Sequence, residues 1–341
     1  MKRFGILQTA FLGDTVIIAD MIGKLHKLYG DEAQIHLIVK KDIEPIFEND
    51  PRVSSITTFD KRGKEKGFWG LLRAIKKVRK LRLNVMFAVH RSLRSSLIAR
   101  LSGARKVIGF KTASMSLFFS KRVPREGVHE VVKNHRLLES FDKKFLDLTP
   151  DRSQPYKLYP PKDSSRKDLS DLEKNTFIVI APGSKWPTKR WTIAGYIELI
   201  NRLLKSYVFK IMLTGDKEDI KYSDAVASGI HSTKRVIDLT GKLDIQDLFY
   251  LISKARLVIT NDSAPQHIAV GLGVPVVAIF GPTVKELGFY PYSDRAVVVE
   301  NKKVHCRPCG LHGHKVCPKD THECMTTITP IEVFEAAENM L

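Results

Sequence analysis

The chain has 341 residues, too many for one ordinary hydrophobic core and suited to two domains of average size. Hydrophobic residues make up 43% and charged residues 27%, which excludes a collagenous, mucin-like or wholly disordered chain. Lys and Arg number 56 against 37 Asp and Glu, a formal net charge of +19, so an anionic partner is expected.

Short apolar, β-rich runs alternate with helical patterns. In the first half, strands are expected at residues 4–7, 34–39, 55–59, 84–90 and 106–110, and helices at 15–29, 68–81, 94–101 and 130–141. In the second half, strands are expected at 176–180, 208–213, 235–239, 257–260 and 275–280, with helices at 192–206, 220–230, 245–255 and 264–272. Nearly continuous apolar strands separated by helices imply α/β architecture with parallel sheets covered on both faces. A polar stretch at 149–174 divides two such sets. The expected organisation is a domain at 1–160, a second at 161–329, and an amphipathic helix at 330–341 that packs back on the first. Two doubly wound domains facing each other would hold a ligand at the carboxyl ends of both sheets.

Several classes fall away. The first turn, Gln8 to Asp14, lacks G-x-G-x-x-G, and no G-x-x-x-x-G-K-[ST] occurs. The start has no secretory pattern, and no apolar run approaches the ~18 residues needed to span a membrane. All four cysteines lie between Cys306 and Cys324, which suggests a reducing compartment.

Four constellations carry chemistry. After the first strand, Gly13 permits a tight turn, and Asp14 either caps the following helix or acts as a general base at a strand's carboxyl end. After the strand at 176–180, Gly183 and Ser184 allow backbone approach while Lys185, Lys189 and Arg190 supply positive charge for a phosphate. Thr260 to His267 runs from a buried strand into a helix whose first turn carries Asp262, Ser263, Ala264 and Pro265, with His267 close behind. Amide groups at such an end favour a pyrophosphate. Finally, Cys306, Cys309, Cys317 and Cys324 fit either a structural zinc site or a loop of reduced, packed thiols.

The segments NDSAPQHIAVGLGVPVVAIFGPT, APGSKWPTKRW, the opening LGD and CRPCGLHGHKVCPKDTHECM together resemble the ADP-heptose:lipopolysaccharide heptosyltransferases, glycosyltransferase family 9. The turn and the Cys-rich end are most similar to the type II enzymes. The resemblance implies a GT-B fold, two facing Rossmann-like domains with a cleft between them. It also implies inverting transfer of L-glycero-D-manno-heptose from ADP-heptose to the lipopolysaccharide inner core, with no cofactor required for catalysis. Asp14 matches the catalytic carboxylate. Ser184 and Lys189 fall at the donor-phosphate loop, with Gly183 offering backbone. Asp262, Ser263, Ala264 and His267 match the donor-binding turn, Leu243 packs on adenine, and Glu218, one of three acids in GDKED, holds the ribose. The work is expected in the cytoplasm, peripheral at the inner face of the inner membrane.

The charge is lopsided: residues 61–111 contain 16 basic side chains and one acid, Glu65. An anionic lipid-linked saccharide acceptor and an anionic membrane surface both explain this bias. Arg91 and Arg94, which follow a strand end, and Gly13 are the candidate acceptor contacts. Lys76, Lys77 and Lys80 serve surface attraction, with Phe68, Trp69, Leu71 and Leu72 placed to dip into an interface. A 2-epimerase-like enzyme on the same fold is an alternative, but no acid/base pair can be assigned to it. A non-catalytic nucleic-acid binder is another, against which stands the lack of aromatic interleaving in the charge run.

Overall fold

The computed structural model describes residues 1–60, 63, 66–164, 166–231 and 233–341. Lys61, Arg62, Lys64 and Glu65 of the basic window lie outside the described residues. The chain forms two compact units, Met1–Tyr159 and Pro160–Leu341. Among the described residues no helix is long and apolar enough to cross a membrane.

The first unit runs β1 (Lys2–Leu7), α1 (Leu12–Val16), α2 (Ala19–Tyr29), β2 (Ala33–Val39), β3 (Val53–Thr58), α3 (Gly67–Arg79), β4 (Val85–Ala88), α4 (Leu93–Leu101), β5 (Lys106–Phe110), β6 (Lys121–Val123) and α5 (Glu130–Phe141). Its strands pair in parallel in the order β3-β2-β1-β4-β5-β6. Every residue of β4 is buried, as expected of a central parallel strand with helices on both faces. On α3, Gly70, Ala74, Ile75 and Val78 form the buried stripe, while Arg73, Lys76, Lys77 and Arg79 stay exposed.

The second unit runs α6 (Lys167–Ser170), β7 (Phe177–Ala181), α7 (Ile193–Ser206), β8 (Lys210–Leu213), α8 (Ile220–Ser228), β9 (Val236–Asp238), α9 (Ile245–Lys254), β10 (Val258–Asn261), α10 (Ala264–Gly271), β11 (Val276–Phe280), β12 (Ala296–Glu300), α11 (Glu323–Thr326) and α12 (Pro330–Glu338). Its parallel order is β12-β11-β10-β7-β8-β9. Read from β9, this repeats the order of the first sheet, so each unit is Rossmann-like and the chain has the GT-B type of fold. The winding direction reverses between β1 and β4, and again between β7 and β10. At such switch points the loops leaving the carboxyl ends diverge and open a crevice. Both phosphate-type motifs and Asp14 leave one of these four strands.

Two expectations are corrected. The helix expected at 15–29 is two helices, with a break at Ile17 and Ile18. Thr15 Oγ1 donates to the Phe11 carbonyl, a back-bond that bends helices. Two edge strands were not anticipated: β6 has three residues, two of them charged, whereas the β-branched run of β12 was a readable signal. The C-terminal helix packs on the second unit. Val333, Ala336 and Ala337 of α12 join the core cluster holding Trp191, Leu199 and Leu203 of the second unit. Arg256 Nη2 fastens its end through the Leu341 carbonyl at 2.6 Å.

Candidate active site

Asp14 lies in the first turn of α1, beyond the carboxyl end of β1, and is half-buried. It does not occupy the N-cap position, which belongs to Phe11. Burial and the negative charge of Glu130 push its carboxyl up to about 6, against the pull of backbone hydrogen bonds at Asp14 and Phe11 and of Arg125. Glu130 is itself buried and held by Arg125 Nη2 at 2.5 Å and Lys133 Nζ at 2.8 Å. Arg91, just past β4, is exposed and within electrostatic reach of Asp14, Glu130 and Arg125. The loops after β1 and β4 are joined by Thr9 Oγ1, which lies 3.0 Å from both His90 Nδ1 and Ser95 Oγ. A carboxyl poised near neutrality, with cations beside it, is equipped to take a proton from a hydroxyl on an anionic molecule.

Arg94 is half-buried in α4. Its Nη2 donates to the Gly67 carbonyl at 2.9 Å and its guanidinium lies over the Phe59 ring, so it joins α4 to the start of α3. Gly13 is half-buried in the same turn as Asp14.

In the second unit, the loop after β7 is braced against the end of β10. Buried Asn261 donates to the carbonyls of Pro182 and Gly183, and its Oδ1 accepts from the Trp191 amide and the Tyr196 hydroxyl. Asp219 lies under Gly183, where a Cβ would come within 2.1 Å of the carboxylate. Only glycine fits there. Asp219 also pairs with Arg190 Nη2 at 2.8 Å, so Arg190 orders the loop internally. Of the acids in GDKED, Asp216 and Asp219 form a capping box; Asp219 is buried, and Asp216 and Glu218 are exposed.

Lys189 reaches across to Asp262, Nζ to Oδ2 2.6 Å, and both are buried. Thr283 Oγ1 donates to the same oxygen at 2.6 Å, and Gln266 Nε2 to Oδ1 at 3.0 Å. Asp262 is therefore an anchor for a cation rather than a cap for α10. The N-cap of α10 is Ser263, whose hydroxyl pairs with Thr260 Oγ1 and makes no cap bond to the helix. The amide end of α10 thus keeps its positive pole beside Lys189. Ser184 is buried in the opposite loop, and Lys185 is exposed at its rim. His267 is buried and its imidazole is pushed down to about 4 by desolvation, so it is neutral at pH 7 and serves as a hydrogen-bonding group, not a cation. Leu243 is half-buried in a loop whose Lys242 carbonyl accepts from Arg166.

The Cys-rich segment closes the back of this site. Thr188 Oγ1 donates to the His314 carbonyl at 2.7 Å and accepts from the His314 amide at 2.8 Å, and His322 Nε2 meets the Thr188 carbonyl at 2.8 Å. His312 stacks on Trp186 with ring centroids 6.1 Å apart. Cys309 donates its amide to the Pro282 carbonyl. All four cysteines are free thiols. Among the described residues no group of three or more His, Cys, Asp or Glu is arranged to hold a metal. Burial raises the Cys309 and Cys324 thiols, Cys324 to about 11, as in a packed loop.

Comparison with known proteins decides the family. Residues 71–318 match the model of glycosyltransferase family 9 (heptosyltransferase). The chain belongs to this family. Lipooligosaccharide heptosyltransferase 2 of Campylobacter jejuni is 27% identical over 345 residues, covering 100% of this chain and 98% of its own. Lipopolysaccharide heptosyltransferase 3 of Escherichia coli is 26% identical, covering 84% of this chain and 85% of its own. The solved structure of E. coli ADP-heptose lps heptosyltransferase II superposes with a TM-score of 0.77 at 20% identity, covering 100% of this chain and 98% of that one.

As a heptosyltransferase-family glycosyltransferase, the chain displays its motifs at both switch points. Lys189 and Asp262 are brought together; Ser263 and Ala264 start the helix beside them. Asn261, Thr283, Thr188 and Glu130 were missed in sequence. Asn261 stood inside the NDSAPQH motif and was readable there; the other three act through partners remote in the chain.

Proposed function

We propose that the chain transfers L-glycero-D-manno-heptose from ADP-heptose, with inversion, to the inner core of lipopolysaccharide, working at the cytoplasmic face of the inner membrane. The observation that carries this reading is the Lys189 ammonium, held by Asp262 beside the uncapped amide end of α10, a set of donors fitted to a diphosphate leaving group. The relatives support it: one solved neighbour is an ADP-heptose lps heptosyltransferase II, and the curated relatives are lipopolysaccharide or lipooligosaccharide heptosyltransferases.

In the reaction an acceptor hydroxyl loses its proton to Asp14 as its oxygen bonds to the anomeric carbon. The bond from that carbon to the β-phosphate oxygen breaks in the same step, which inverts the centre. ADP leaves with its developing charge met by Lys189, the α10 amide end and the Ser184 loop. Glu218 is the acid placed to receive a ribose hydroxyl, and Leu243 the apolar surface for adenine. Positive charge from the protein takes the place of a metal, so activity persists in chelator. Identity of 27% to a type 2 enzyme and 26% to a type 3 enzyme does not separate the acceptors; the Cys-rich end favours type II.

The test is ADP release by the purified chain from ADP-heptose, with lipid A carrying truncated inner cores as acceptors, followed by NMR of the new linkage. Acceptor-dependent release in chelator, with an inverted linkage, is expected. ADP-heptose that neither binds nor reacts with any inner-core acceptor overturns the reading.

A further inference from the structure

Residues 66–125 contain 16 basic side chains and no acid. This segment also carries most of the exposed large apolar side chains of the first unit. Phe68 and Trp69 are 66% and 72% exposed, with rings 5.7 Å apart in an edge-on pair. Leu72 follows one turn later, Leu93 opens α4, and Leu117 and Phe118 are 76% and 59% exposed on the single turn after β5.

These side chains stand at one end of the sheet. Helices in a parallel α/β unit run opposite to the strands, so the starts of α3 and α4 lie at the strands' carboxyl ends, where the turn after β5 also lies. Hydrogen bonds fasten the three segments together. Arg94 Nη2 donates to the Gly67 carbonyl at 2.9 Å, and the Ser114 amide and hydroxyl donate to the Arg91 carbonyl at 3.1 and 3.2 Å. Phe119 turns inward, joining the cluster against which Leu71 packs, so its neighbours Leu117 and Phe118 face outward on a fixed base. Lys66, Arg73 and Lys76 of α3 or its start, and Lys111 just past β5, are exposed in the same segments.

We infer that this face, the starts of α3 and α4 with the turn after β5, is a docking surface for an anionic lipid bilayer. Aromatic and leucine side chains in a segment rich in lysine and arginine and without an acid match a headgroup layer above acyl chains. The aliphatic Leu72, Leu93 and Leu117 cannot stack on bases, which favours lipid over nucleic acid. The inference deepens the proposed activity, because it rests on a lipid-linked acceptor for its purpose and would bring that acceptor's membrane to the end of the sheet carrying Asp14.

The probe is sedimentation of the full chain with vesicles of phosphatidylethanolamine and phosphatidylglycerol, against vesicles of phosphatidylcholine alone. Binding to the anionic vesicles only is expected, weakened at about 0.5 M salt. Phe68→Ser with Trp69→Ser, and separately Leu117→Ser with Phe118→Ser, should each reduce it by about tenfold or more, as expected when inserted apolar area is lost. Lys76→Glu with Lys111→Glu should do the same without touching the apolar residues. Unchanged melting and an unchanged ADP-induced melting shift show that the variants are folded. Wild-type protein that ignores anionic vesicles, variants that bind like wild type, or selective binding of RNA over vesicles overturns the inference. A chain that binds vesicles but transfers no heptose defeats the proposed activity alone; one that transfers heptose in detergent and ignores vesicles defeats this inference alone.

Discussion

Lys189 and Asp262 form a buried ion pair of 2.6 Å although 73 positions separate them in the chain. The pair ties the loop after β7 to the turn after β10, on the two sides of the second switch point. Removing one partner of a buried pair leaves an uncompensated charge, which typically costs about 3–5 kcal/mol. Asp262→Asn keeps a polar acceptor and should fall at or below the low end of that range, read as a lower urea midpoint. ADP brings negative charge to the stranded ammonium. The rise in melting temperature on adding saturating ADP should therefore be larger in Asp262→Asn than in wild type; an equal or smaller rise places the phosphates elsewhere.

Asp14 titrates in the working range. With its carboxyl raised to about 6, it is ionised above that pH and protonated below. Turnover should fall as pH drops through about 6, and Asp14→Asn should lower kcat by roughly 10²–10⁴-fold while sparing ADP binding. The sign for stability is opposite to that of a salt-bridged acid. A carboxyl whose folded value is raised holds its proton more tightly when folded, so its ionisation opposes folding above about 6 and the penalty disappears as pH falls toward 4. Asp14→Asn should thus be more stable than wild type at pH 7.5 and lose that advantage near pH 4. Equal stability at both pH values would mean that the carboxylate is well solvated.

Much of this could be read before folding. The apolar runs of β1, β7 and β10 specify buried strands, and the turns that follow them carry the polar residues that make the site. What could not be read depends on distance through space. The pairing of Lys189 with Asp262 and the approach of Glu130 to Asp14 join segments far apart in sequence. His267 is an unremarkable histidine in the chain, and only its burial makes it neutral. The amphipathic pattern of α12 shows that it buries a stripe, but not that α7 and β11 cover it. Arg94 follows a strand in the sequence, but its partner, the Gly67 carbonyl, is 27 positions away.

His135 and His267 set a shared acid limit. Burial pushes each down to about 4, and both are neutral in the folded chain at pH 7. His135 Nε2 consequently donates to the Phe145 carbonyl at 3.0 Å instead of forming an ion pair with Glu139. Unfolding lets each imidazole take a proton below about 6.5. Folded stability is therefore unaffected by these groups above that pH and is lost as pH falls from about 6.5 toward 4. Urea midpoints at pH 7 and pH 5 should differ less in His135→Asn and in His267→Asn than in wild type. A variant with the full wild-type difference would show that its histidine is already charged when folded.

Thr188 holds the Cys-rich segment against the donor loop. Its hydroxyl both donates to the His314 carbonyl and accepts from the His314 amide, while its own carbonyl meets His322 Nε2. A Cβ on Gly313 would lie 2.9 Å from that hydroxyl, so the contact has no spare room. Thr188→Val keeps the shape and removes both hydroxyl bonds, each worth about 1 kcal/mol. Because the His314 amide and carbonyl then lose their partner, the loss should concentrate in the segment rather than spread through the unit. Hydrogen exchange should quicken in peptides covering 309–318, with the strands of the second sheet unchanged, and the loosened segment should be cut earlier by protease. Since Lys189 is the next residue, ADP should bind more weakly and restore part of the protection when saturating. Cys324 offers a second readout. Burial holds its thiol at about 11, so it alkylates slowly in the native chain. Lying in α11 and in the core cluster that contains Trp191, it should stay slow in Thr188→Val while Cys309 and Cys317 react faster. Faster labelling of Cys324 as well would mean that Thr188 secures the core of the unit, not only the segment over the donor loop.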